Sequence, residues 1–105
     1  MALIDTSKLA VVERRPGWRG RYFDSPSMTF GHYEFDAGSS IHPHFHPQEE
    51  VWQIIEGELE MIIGVDKLRL SAGDSVYLDS LQKHAYRSLA KGPCTAIVVT
   101  TASSA

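Results

Sequence analysis

The chain has 105 residues, 43% apolar and 22% charged, with a formal net charge of -3 at pH 7. Those are the proportions of an ordinary globular chain rather than a disordered or membrane one, and the chain is expected to form one domain over residues 1–105. The sequence holds no basic cluster and no apolar run near the roughly 20 residues of a membrane span, which argues against nucleic-acid and membrane partners. Cys94 is the single cysteine, and Met1 to Pro16 lack the apolar core of a signal peptide, so a cytoplasmic location is expected.

Short runs rich in Val, Ile, Tyr, Phe and Trp alternate with Gly, Pro, Asp and Ser, a pattern of many short strands. In chain order the expected strands are Leu9–Arg14, Trp18–Phe23, Met28–Phe35, His42–His46, Glu50–Ile55, Glu58–Val65, Lys67–Leu70, Ser75–Leu78, His84–Ser88 and Thr95–Thr100. Helical periodicity is nearly absent. The fold class is therefore all-β, a sandwich or barrel rather than a series of βαβ units.

Glu56-Gly57 reads as the two-residue turn of a hairpin, pairing Ile55 with Glu58 and Trp52 with Met61. Alternation puts Glu50, Trp52, Ile54, Leu59, Met61 and Ile63 on one face. A carboxylate among large apolar side chains is costly to bury unless it is paired or bound to a metal. On the opposite face the register groups Val51, Ile55 and Ile62. Such an apolar patch calls for a cover, and two-fold pairing into a homodimer is the expected one.

The stretch His42 to Glu50 concentrates three histidines and two carboxylates. Strand residues two apart share a face, so His44 and His46 point the same way, and the turn Pro47 to Glu49 returns Glu50 on the neighbouring strand. Imidazole with carboxylate suits a first-row divalent ion: Fe, Mn, Ni, Cu or Zn. His42 has the parity of His44 and could also face inward. His32 reads as a surface or hydrogen-bonding histidine. Cys94 has no partner signature of a nucleophile.

The spacing Gly38-(five)-His44-x-His46-(three)-Glu50-(six)-Gly57 resembles the first motif of the cupin superfamily without a gap. Gly73 and His84 resemble its second motif, where Asp79, Leu81 and Ser88 stand in place of the usual Pro, Gly and Asn. The resemblance implies a double-stranded β-helix, the jelly-roll barrel, of the small single-domain kind. It also implies one divalent transition-metal ion held by His44, His46, Glu50 and His84, with coordination positions left for a ligand. The second motif is further similar to the sensor cupins that follow a helix-turn-helix in some bacterial regulators, although the segment upstream here reads as strands.

Two functional readings stand beside each other. One is an enzyme, a metal-dependent cupin acting on a small organic molecule as a dioxygenase, isomerase, decarboxylase or lyase. In that reading Tyr86, which shares parity with His84, presents its hydroxyl for proton transfer, and Trp52, Ile54 and Met61 form the pocket wall. The other is a free-standing sensor that captures a small molecule without turnover. Fold does not choose between them.

Overall fold

The computed structural model describes residues 3–44, 46–89 and 92–101. Ten strands follow a short 3-10 turn at Thr6–Lys8: β1 (Val12–Arg15), β2 (Trp18–Asp24), β3 (Met28–Phe35), β4 (Ser40–His44), β5 (Glu50–Glu56), β6 (Glu58–Ile63), β7 (Asp66–Ser71), β8 (Ser75–Leu78), β9 (His84–Ser88) and β10 (Cys94–Thr101). Each expected strand has a counterpart, its ends shifted by at most three residues. Phe45, inside the expected strand His42–His46, lies outside the described residues, and β4 stops at His44. No helix among the described residues is long and apolar enough to cross a membrane.

The strands form two antiparallel sheets, ordered β1-β2-β3-β10-β5-β8 and β4-β9-β6-β7. This is the expected jelly-roll sandwich. Alternation sorts each strand between core and solvent. On β5 the side chains of Glu50, Trp52 and Ile54 are buried while Val51, Gln53 and Ile55 are exposed. On β10 Cys94, Ala96 and Val98 face in, and on β6 Leu59 and Met61 do. An aromatic cluster ties the sheets together. Trp52 of the larger sheet meets Tyr86 of the smaller at 4.8 Å between ring centres, with Phe35, Tyr33 and Trp18 around them. Contacts of this kind add roughly 0.5–1.5 kcal/mol each beyond area burial.

One expectation is overturned. β5 and β6 do not form a hairpin: β5 pairs with β10 and β8, whereas β6 pairs with β7 and β9 in the opposite sheet. The chain crosses from sheet to sheet at Gly57, whose φ is +82°. A Cβ there would sit 2.3 Å from the Pro93 carbonyl oxygen, so the crossing needs a residue without a side chain. The expected inward residues are nonetheless correct, because the two apolar faces meet across the core instead of lying side by side.

The same crossing divides the patch that carried the expectation of a homodimer. Val51 and Ile55 lie on the outer face of the larger sheet, and Ile62 lies on the other sheet. Cross-strand neighbours on the larger sheet instead bring together a row of Phe23, Phe30, Val99, Val51 and Tyr77.

Candidate metal centre

The ends of β4, β5 and β9 converge at one end of the sandwich. His44 closes β4 and is the direct cross-strand partner of His84, which opens β9. His46 follows in the loop to β5, and Glu50 is that strand's first residue. The smaller sheet thus supplies His44 and His84, and the larger supplies Glu50 from across the gap. The ligating atoms of His44, His46 and His84 all lie within 4.8 Å of one another. The Oε1 atom of Glu50 is 3.3 Å from His46 Nε2 and 3.7 Å from His84 Nε2.

Backbone carbonyls set the orientation of all three rings. Nδ1 of His44 meets the His42 carbonyl at 3.0 Å, Nδ1 of His46 meets that of Gln48 at 3.0 Å, and Nδ1 of His84 meets that of Gln82 at 2.9 Å. A carbonyl oxygen only accepts, so each Nδ1 carries the proton and each neutral ring presents a bare Nε2 lone pair. At Glu50 the lone pairs of His46 and His84 face carboxylate oxygen, acceptor against acceptor. Such a set is repulsive unless a cation or a proton lies among the atoms. Nε2 of His84 is buried and has no hydrogen-bond partner among the described residues. Protonation there is disfavoured: burial, the largest cause, holds the His84 imidazole below its ordinary value near 6.5, and His44 and His46 push the same way. The donor set fits a divalent transition metal, with Nδ1–carbonyl bonds of the sort that orient metal-binding histidines.

Glu50 is itself held. Thr100 Oγ1 donates to Glu50 Oε2 at 2.9 Å, and the Trp52 indole N–H lies 3.4 Å from Glu50 Oε1. Thr100 opposes Glu50 in the β10–β5 pairing. Sequence reasoning missed its role because nothing local links residues so far apart; only the strand pairing reveals it.

His42 does not share the inward face of His44. The β4–β9 pairing slips between Ile41 and His44, so Ile41 and His44 both turn inward although three positions separate them. This bulge reverses the simple alternation and leaves His42 exposed at the cavity rim.

The cavity over this cluster has a volume of about 370 Å³, and its wall includes Trp18, Tyr33, Tyr86 and two arginines, Arg14 and Arg15. Tyr86 is buried, its ring centre 5.9 Å from that of His44. The expected pocket wall is corrected here. Trp52, Ile54 and Met61 are almost wholly buried in the core and do not line the cavity, and Trp52 reaches the cluster only from behind, through Glu50. The inward face of β5 and β6 was read correctly, but it leads into the sandwich rather than to its open end. Arg14, Arg15 and Trp18 enter the wall from β1 and β2, which carry no motif. Arg87, next to Tyr86 on β9, points to solvent and pairs with Glu60. Cys94 is buried and its thiol is pushed up to about 11 by burial, the state of an inert core cysteine.

A cupin-domain family model matches residues 31–100, a span that contains the whole histidine–glutamate cluster. The chain is a cupin. Its fold is similar to that of KdgF from a Halomonas species, with 18% identity, a TM-score of 0.86, and coverage of 98% of this chain and 96% of that one. An RmlC-like cupin from Shewanella frigidimarina is similar at 16% identity and TM-score 0.88, covering 98% of this chain and 92% of that one. The polyketide cyclase RemF from Streptomyces resistomycificus is similar at 18% identity and TM-score 0.84, covering 96% of this chain and 79% of that one. Identities this low speak for the fold. No curated protein matches the cupin at a significant level.

Proposed function

We propose that this cupin binds one divalent transition-metal ion through His44, His46, Glu50 and His84 and converts a small organic molecule in the cavity beside it. The observation that carries the reading is the convergence of three carbonyl-locked imidazoles, their ligating atoms within 4.8 Å of one another and two of them beside the buried Glu50 carboxylate. A divalent ion supplies Lewis acidity, polarising an oxygen atom of the ligand.

The chain's own residues would do the rest. Thr100 and Trp52 hold the Glu50 carboxylate in place, and the backbone carbonyls of His42, Gln48 and Gln82 hold the rings. The cavity wall of Trp18, Tyr33 and Ile41 excludes water from one side of the ligand. Burial, then the Glu50 carboxylate, pushes the Tyr86 hydroxyl far above its ordinary value. Tyr86 therefore remains a phenol at neutral pH and serves as a hydrogen-bond donor to the ligand, not as a base. A polyketide cyclase of the same fold is compatible with chemistry on small organic molecules.

Elemental analysis of the full chain purified without added ions tests the reading, followed by oxygen uptake and substrate screening with the metal found. About one transition-metal ion per chain, with turnover lost in Tyr86→Phe, is the expected result. Metal-free protein that takes up no Fe, Mn, Ni, Cu or Zn at micromolar concentration overturns it. Tight ligand binding without turnover would move the assignment to a sensor.

A further inference from the structure

β1 is an edge strand of the larger sheet, and its pairing with β2 slips between Glu13 and Arg15, which makes Arg14 the extra residue of a bulge. In a regular strand Arg14 and Arg15 would point to opposite faces. Here both line the cavity that contains His44, His46 and Glu50. A bulge re-aims side chains in this way, commonly beside functional sites.

The Arg14 guanidinium stands 5.3 Å from the ring centre of Trp18 and 5.5 Å from that of Tyr22, and it donates to the Tyr22 hydroxyl at 3.2 Å. Stacking and a hydrogen bond to a phenol fix its position without neutralising its charge. Among the described residues neither Arg14 nor Arg15 forms an ion pair with a carboxylate, whereas Arg19, Arg69 and Arg87 each do. Glu50, already engaged by Thr100 and facing His46 and His84, is the one carboxylate among the described residues of the cavity wall. Two guanidinium groups against one carboxylate leave that wall positive before any ion binds. Field lines focus in such a cleft and draw in an anion.

We propose that Arg14 and Arg15 bind the carboxylate of the cavity's ligand, so that the substrate is a small carboxylic acid whose other end reaches the histidine cluster. The planar guanidinium fork matches a carboxylate in two parallel hydrogen bonds, and a cavity of about 370 Å³ takes an acid with a short or aromatic body. The orientation at the histidine end rests on the metal reading above. The arginine subsite does not.

The test uses 3-phenylpropionate and its uncharged amide, 3-phenylpropionamide, as probes, with inorganic phosphate as a third. Calorimetry is run on the full chain as purified and again after chelator dialysis, with metal content recorded for each sample. In both samples the acid is expected to bind about tenfold tighter than the amide. Arg14→Gln/Arg15→Gln is expected to abolish that preference while keeping the wild-type metal content and a cooperative thermal transition. Arg14→Lys/Arg15→Lys, which retains charge but not the fork, should recover only part of it. Equal affinity for acid and amide, absence of binding by both, or a preference that survives the double Gln substitution overturns the proposal. Phosphate binding tighter than the acid would overturn the carboxylate assignment. A chain that holds no metal as purified and takes none up when it is offered, yet keeps the arginine-dependent preference, would refute the metal reading alone.

Discussion

Thr100→Val isolates one hydrogen bond of the candidate centre. Valine keeps the shape of threonine and its strand propensity but has no hydroxyl to offer Glu50 Oε2, now met at 2.9 Å. A hydrogen bond to a charged acceptor is worth about 1.5–3 kcal/mol, and each 1.4 kcal/mol is tenfold in affinity. Because Glu50 is buried, water cannot easily replace the lost donor. The expected loss in metal affinity is therefore about tenfold to a hundredfold, the range typical of residues that orient a ligand. Trp52→Phe should cost less, since its indole N–H lies 3.4 Å from the other carboxylate oxygen and makes the weaker contact. Competition against a chromophoric chelator at fixed pH gives both constants, and the thermal midpoint shows whether the variants fold. Thr100→Val within a factor of two of wild type, with Glu50→Gln strongly impaired, would show that the carboxylate needs no support from β10. The account of how Glu50 is positioned would then be wrong.

His42→Ala is expected to keep wild-type metal content, because the β4 bulge leaves His42 exposed, while His84→Ala loses it; equal loss in both, by elemental analysis, would contradict that assignment. Acid should release the metal and lower stability together. The His84 pKa is depressed in the folded chain, so the unfolded chain takes up that proton first: stability is full above about 6.5 and falls as pH drops below it. A thermal midpoint flat from pH 7.5 to 5 in chelator-treated protein would contradict this. Leu81, with φ of +61°, donates its backbone N–H to the His46 carbonyl at 2.8 Å. Leu81→Ile keeps the volume but puts a β-branched residue in a left-handed backbone, and should cost about 1 kcal/mol by chemical denaturation and weaken metal binding through the His46 loop.

How much of this was legible in the sequence depends on distance along the chain. Period-two alternation is local, so the strands and the inward placement of Glu50, Trp52, Ile54, Leu59 and Met61 could be read directly. Strand pairing is not local. Two adjacent strands of a sheet and two strands facing each other across a sandwich bury the same alternate residues, so the β5–β6 burial pattern is equally compatible with a hairpin and with a crossing at Gly57. His84 was found only through motif spacing, since the β4–β9 pairing that brings it to His44 joins distant segments.

The bulges mark the deeper limit. Both β1 and β4 slip by a residue near the cavity, and neither slip falls on a glycine that could have announced it. In β4 the slip explains why the alternation of His42 with His44 misled; in β1 it explains why no face assignment could have put Arg14 and Arg15 together. The two slips act on the same space. One turns His44 toward His84, and the other brings a pair of uncompensated positive charges to the same cavity. Each breaks the period on which sequence reading relies, and each does so where the chain must aim side chains at something other than its own core. Departures from alternation beside an otherwise regular motif are thus where this fold carries its specificity, and they become visible only once the strands are paired.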